Sequence, residues 1–313
     1  METTKLEDIP GIGPITAKKL QSAGYSSIES IAVASVRELE EVGISADRAK
    51  EISRIVREMV PIGFQTAEDL LHQRMDVVRL STGSEALNDL LGGGVETKAI
   101  LELIGPYGAG KTQICHTLCV TAQLPSEQGG LEGSVLYIDT EGTFRPERIT
   151  QIAKANAVYN DQILKNILVA RAFNTDHQIL IVERIDELIQ KRNLKLIIVD
   201  SVISHFRAEF LGRENLPVRQ QRLNKHLHRL LRISEIHNLA SIVTNQVVST
   251  PDVFFGPSEK PAGGHVLAHL STNRVFIRKS KKNLRIARVI DSPYLPESEC
   301  VFLISERGIE DVS

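Results

Sequence analysis

The stretch AILELI-GPYGAGKT-QICHTLCVTAQL, residues 99–124, carries an apolar run of strand length into helical spacing through the loop Gly105 to Thr112. That loop fits G-x-x-x-x-G-K-[ST], and a strand before it with a helix after it is the context the motif requires. Glycines let backbone N–H groups approach phosphate oxygens, and the start of the next helix adds its positive dipole end. Lys111 is placed to reach the β- and γ-phosphates, and Thr112 to set its hydroxyl on Mg²⁺. The loop residues Gly105, Pro106, Tyr107, Gly108, Ala109, Gly110, Lys111 and Thr112 are therefore read as a nucleoside triphosphate cradle. A plain glycine turn before a helix has no need of Lys-Thr in register.

Working outward, apolar strand-like runs follow at SVLYID (134–139), ILVARA (167–172), LKLIIVD (194–200) and LASIVTN (239–245). Helical-period segments lie between them at 145–156, 176–192 and 219–237. Continuous apolar strands alternating with helices predict an α/β fold with a mostly parallel, doubly covered sheet. The later runs RVFIRK, LRIARVID and CVFLIS lack intervening helices and predict antiparallel strands at one edge. Several of the parallel strands end in polar residues: Asp139 with Thr140 and Glu141, Asp200 with Ser201, and Asn245 with Gln246. Ligands of open α/β sheets bind beyond these carboxyl ends. A carboxylate after a hydrophobic strand is costly unless it holds something cationic, so Asp200 is assigned to Mg²⁺, partly through water. Glu141 is the candidate base that orients the attacking water, and Gln246 the sensor of the γ-phosphate. Helix capping before FRPER stays an alternative for Asp139 and Glu141.

Composition excludes several classes. Of 313 residues, 42% are apolar and 24% charged, as in ordinary globular proteins. No apolar run approaches the ~18 residues of a membrane span, and the polar, acidic start METTKLEDIP is neither a secretory nor a transit signal. An intracellular, cytoplasmic protein without a membrane partner is expected. Three cysteines make no disulfide framework; Cys115, Cys119 and Cys300 read as packing residues. The net charge of −2 is uninformative, but two stretches are basic and free of acids. One holds Arg274, Arg278, Lys279, Lys281, Lys282, Arg285 and Arg288; the other holds Arg219, Arg222, Lys225, Arg229 and Arg232. Such local faces suit a polyanion or a solvated surface.

Residues 1–60 read as a small helical module, 61–79 as a connector and 80–313 as the core. PGIGPITAKKL (10–20) resembles a helix-hairpin-helix motif, whose turn at Gly11 and Gly13 presents backbone N–H groups to a DNA phosphate, with Lys18 and Lys19 beside it. A weaker echo, EVGISADRAKEI (41–52), suggests a pair of such motifs. The alternative is a helical interaction domain with a glycine turn. In the connector, Phe64 and Ala67 form an F-x-x-A pattern, and a short helix is expected from Thr66.

Taken together, GPYGAGKTQ, DTEGTFRPER, LIIVDSVISHFRAE, GRENLPVRQQ, TNQV, GGHVLAH and DSPYLPE resemble the RecA/RadA recombinase family over nearly the whole chain, its archaeal members most closely. The resemblance implies a RecA-like ATPase core behind a helix-hairpin-helix domain, with ATP and Mg²⁺ as cofactors. It further implies helical filaments on single-stranded DNA, strand exchange with homologous duplex, and loading by mediator proteins. Residue by residue, it implies that Gln113 belongs to the nucleotide site, that Glu141 is catalytic, and that Arg148 stacks on adenine. Phe206–Arg219 corresponds to a first DNA loop with Arg207, Arg213 and Arg219 as phosphate contacts, and Val247–Gly264 to a second. Asp291 and Pro293 would cap ATP on the neighbouring subunit, His269 would face the same interface, and Phe64 and Ala67 would dock into the adjacent core. Pro106 stands where the family usually has an acid, and Ala109 where Ser is common. The rivals are a regulatory paralogue without strand exchange and a ring-forming helicase or clock-type ATPase sharing the core.

Overall fold

The computed structural model describes residues 6–23, 25, 27–60, 65–249 and 259–312. It divides into two compact units, Met1–Met75 with Glu183–Glu187, and Asp76–Val182 with Leu188–Ser313. In the first, the two glycine turns are structural repeats. Ile12, Ala17 and Leu20 of one, and Ile44, Ala49 and Ile52 of the other, are all buried in a single core. Each turn opens a helix, Pro14–Ser22 after Gly13 and Ala46–Met59 after Ser45. Gly11 and Gly43 hold left-handed φ values of 89° and 84°, which favour glycine. The repeats fasten one another: Lys19 donates to the Gly43 carbonyl at 2.8 Å, and Arg48 to the Gly11 carbonyl at 3.3 Å. Lys18 and Lys19, expected beside DNA, are both exposed, and Lys19 also fastens the second turn. Ala67 opens the helix Ala67–Arg74, capped by Thr66 and Asp69 as the connector predicts, and none of its residues is buried. Phe64 lies outside the described residues.

The second unit is built on nine strands: β1 (Ala99–Ile104), β2 (Ser134–Asp139), β3 (Ile167–Arg171), β4 (Leu194–Asp200), β5 (Ala240–Asn245), β6 (Asn273–Lys279), β7 (Leu284–Asp291), β8 (Glu299–Ser305) and β9 (Gly308–Glu310). Their order is β9-β8-β7-β6-β1-β5-β4-β2-β3. Six strands, β1 to β6, are mutually parallel. β7, β8 and β9 run antiparallel at one edge, as expected from their missing helices. RVFIRK departs from that expectation. It forms β6, parallel to β1, because the helix His265–Leu270 carries the chain back before it starts. The helical segment 176–192 is interrupted too, into Thr175–Glu183 and Asp186–Arg192. β1 is buried along its whole length, Glu102 included.

The position of β1 fixes that of the phosphate loop. Its carboxyl end lies between those of β6 and β5, and the loop leads straight into the helix Lys111–Thr121. Packing at one position and backbone conformation at another make two of the loop glycines obligatory. A Cβ on Gly105 would collide with the Ile277 carbonyl of β6. Gly110, at φ 111°, leaves a Cβ only 2.6 Å from Ile304 Cδ1 of β8.

Candidate active site

The carboxyl ends of β1, β2, β4 and β5 bring the expected polar residues together. Asp200, at the end of β4, is buried and accepts three hydroxyl hydrogen bonds: from Thr112 at 2.8 Å, Tyr137 at 2.6 Å and Thr244 at 2.5 Å. This corrects the premise that only a cation can hold such a carboxylate. Hydroxyls from three neighbouring elements satisfy it, and two of them, Tyr137 and Thr244, were missed. Their signal was available, since each is a polar residue near the carboxyl end of an apolar strand. The donor set still fits Mg²⁺. A hydroxyl and a carboxylate are hard oxygen ligands, and this ion characteristically takes one or two carboxylates together with substrate phosphate. No cluster of three or more His, Cys, Asp or Glu able to hold a metal occurs among the described residues.

Lys111 Nζ donates to the carbonyls of Gly105 at 2.7 Å and Pro106 at 3.0 Å. Burial lowers its pKa, and the nearby Asp200 and Glu141 charges oppose that fall. Arg285, from the basic stretch, donates to the Ala109 carbonyl at 2.9 Å and braces the loop from β7. Tyr107 is exposed at the loop tip.

Asp139 does not cap the helix Pro146–Ala155, whose N-cap is Arg145. Its carboxylate instead gathers the backbone N–H groups of Glu141, Gly142, Thr143 and Phe144, at 2.7–3.3 Å. The loop it shapes presents the exposed Glu141, whose Oε1 accepts from Gln246 Nε2 at 2.9 Å. Thr140, between them, is buried and bonded to Ser201 and Ser204.

Arg148 donates to Gln113 Oε1 at 2.8 Å, Gln151 Oε1 at 2.6 Å and the Ser305 and Glu306 carbonyls. These bonds fix its guanidinium plane beside the start of the phosphate-loop helix. His116, one turn further along that helix, is buried against Tyr137 and Phe144 with neither nitrogen bonded. Burial lowers its pKa to about 4, so it is a neutral packing group behind the site.

The expected first loop is shorter than its sequence span. Phe206 is core, in the helix Ser204–Glu209 that also carries Arg207, and Arg219 lies in the helix Leu216–His237. Arg213 is exposed in the segment between them. Arg207 and Arg219 line one groove with Val248 and Ala262–Gly264, so the roots of both loops meet there. Of the second loop, Val247–Ser249 pairs antiparallel with Glu259–Pro261; residues 250–258, with Phe254 and Phe255, lie outside the described residues. His269 is exposed and stacked near His265. Asp291 and Pro293 are exposed at the end of β7. Acids from outside the basic stretch 273–290 meet several of its cations: Arg274 pairs with Glu102, Arg278 with Glu299 and Arg288 with Glu297. The last two pairs are exposed and weak, so that face remains open to a polyanion.

Comparison with known proteins agrees with this geometry. The Rad51 family model matches residues 73–312, and a SAM-like helix-hairpin-helix tandem matches residues 3–58. A protein of Aeropyrum pernix named DNA repair and recombination protein RadA is 51% identical over 311 residues, covering 99% of this chain and 98% of that protein. Proteins of the same name from Ignicoccus hospitalis and Metallosphaera sedula are each 52% identical, covering 98% of this chain and 96% and 95% of their own lengths. No described helix is long and apolar enough to cross a membrane. With a family match over most of its length and relatives at about half identity end to end, the chain belongs to the RecA/RadA recombinase family.

Proposed function

We infer that this protein is a DNA-dependent ATPase that assembles on single-stranded DNA and exchanges strands with homologous duplex in recombinational repair. The observation that carries the reading is the Gln246–Glu141 hydrogen bond. It joins the carboxylate beside the phosphate loop to the residue from which the second DNA loop departs. Gln246 can exchange that partner for a terminal phosphate oxygen, which makes nucleotide occupancy legible at the loop. Lys111 trades its two carbonyl partners for β- and γ-phosphate oxygens. Thr112 and Asp200 would hold Mg²⁺, which would offset the negative charge of the bound phosphates. Glu141 orients the attacking water and takes its proton. Arg148 offers the face of its fixed guanidinium to the adenine.

Asp291, Pro293 and His269 are exposed and serve the nucleotide of a neighbouring copy. Phe64 and Ala67 tie copies into a filament. β3 ends the sheet with Val169 and the adjoining Phe173 exposed, an edge that strand addition can extend. Arg207, Arg213, Arg219 and the segment 247–264 hold DNA mainly by its phosphates, and Gly11, Gly13, Lys18 and Lys19 do so in the N-terminal module. Base pairing then supplies the sequence specificity. A cytoplasmic, DNA-associated location and mediator proteins that load the filament complete the reading.

Electron microscopy with ATP and single-stranded DNA tests it. Helical filaments are expected, and DNA affinity should fall steeply as salt rises. Closed rings that ignore DNA would favour a ring ATPase. Phe64→Glu should leave a folded, monomeric protein on gel filtration; large assemblies surviving the change would end the F-x-x-A assignment.

A further inference from the structure

Glu102 is the one buried carboxylate of β1, and the chemistry above makes no use of it. Its Oε1 accepts from Asn245 Nδ2 at 2.7 Å, and its Oε2 from Arg274 Nε at 2.6 Å. Asn245 Nδ2 also donates to the Ala262 carbonyl at 2.7 Å, while Ala262 N donates to the Gln246 carbonyl at 2.8 Å. The returning root of the second loop is thereby fastened to β5. On the other side, Arg274 stands opposite Asp291 in the β6–β7 register, with Nη1 4.0 Å from its carboxylate. The adjacent Asn273 receives the Ser292 hydroxyl at 2.7 Å and donates to Tyr294 at 3.3 Å, and Ser292 accepts from Leu295 N at 3.0 Å. One row of side chains therefore crosses β5, β1, β6 and β7, from the second loop to the segment 291–295.

Stability does not explain this row. Apolar residues of matching volume commonly serve as well as a buried ion pair or better, whereas losing one partner alone is severe. What the row supplies is a continuous set of side-chain contacts between two functional ends.

We propose that Asn245, Glu102 and Arg274 are positioning residues that couple the second DNA loop to the segment capping nucleotide on the next subunit. The proposal rests on the functional reading above, in which residues 247–264 hold DNA and Asp291 with Pro293 meets a neighbour's ATP.

The measurement is the affinity for fluorescent oligo(dT), by anisotropy, with a non-hydrolysable ATP analogue and with ADP. In the wild type the ratio of the two affinities reports the coupling. Arg274→Lys keeps a cation for Glu102 but loses the guanidinium nitrogen that faces Asp291. Glu102→Leu with Arg274→Met removes the pair without stranding a charge. Both variants should keep the wild-type melting curve and DNA-free ATP hydrolysis, while the ratio falls by ~5-fold or more. A wild-type ratio in Arg274→Lys overturns the proposal, whether or not the double variant folds. A ratio of one in the wild type itself would instead remove the functional reading underneath.

Discussion

Replacing Glu141 by Gln lowers the turnover number for ATP by ~10²–10⁴, the usual contribution of a general base, while ATP binding and ATP-dependent DNA binding persist. The expectation follows from how the loop is built. Asp139, not Glu141, organises it, through four backbone N–H groups. Exchanging an exposed carboxylate for an amide of the same shape leaves that scaffold untouched. A glutamine at position 141 can still offer Gln246 an oxygen, so the bond observed at 2.9 Å survives. What it cannot do is accept a proton from water. Turnover and nucleotide affinity must therefore separate, kcat falling and the dissociation constant holding. Both are read in one preparation, by phosphate release and by titration with a fluorescent ATP analogue. If kcat stays at the wild-type value, Glu141 is only a tether for Gln246 and the base lies elsewhere.

Much of this site was legible in the sequence because its residues stand where apolar runs end. Asp200, Glu141 and Gln246 each follow a strand of four or more apolar residues, and parallel topology places all such ends on one edge. Residues whose roles come from strands distant in sequence were not legible. Arg285 reads as one more cation in a basic stretch until β7 brings it to the Ala109 carbonyl. Glu102 reads as an interruption of an apolar strand until Arg274 arrives from β6 and Asn245 from β5. For Asp139 the sequence left helix capping open as an alternative, for a local reason. It stands ahead of a helix, yet Arg145 is the N-cap and the Asp139 carboxylate is spent on the loop in between. The interruption at Arg184 and Ile185 carries no glycine or proline, so helical periodicity runs through it unbroken. The first DNA loop was drawn too long because Arg207 was counted as loop and the following helix, expected from Arg219, begins at Leu216. Arg207 and Arg219 are instead held by flanking helices, which aims them more firmly than a loop could.

Lys111→Ala should reduce ATP turnover by at least ~10²–10³, the range seen when one preorganised donor is removed from developing charge, and should weaken ATP binding as well. Lys111 differs from Glu141 in being useful to bound nucleotide and transition state alike, so both parameters move together. Its ammonium is partly desolvated, and burial alone would push it toward the neutral form. The Asp200 and Glu141 charges counter that, which keeps a cation beside the loop where polyphosphate must lie. The fold does not depend on it. The carbonyls of Gly105, which is buried, and Pro106, half-buried, lose a donor, and water entering the space left by the lysine side chain can replace it. Packing of Gly105 on Ile277 and Gly110 on Ile304, and the Arg285 brace, are untouched. A melting curve matching the wild type, together with lost turnover and lost ATP-induced stabilisation, is the expected outcome. ATP hydrolysis at the wild-type rate would mean that phosphate is bound elsewhere, and the roles of Glu141, Gln246 and Asp291 would fall with the loop that orients them.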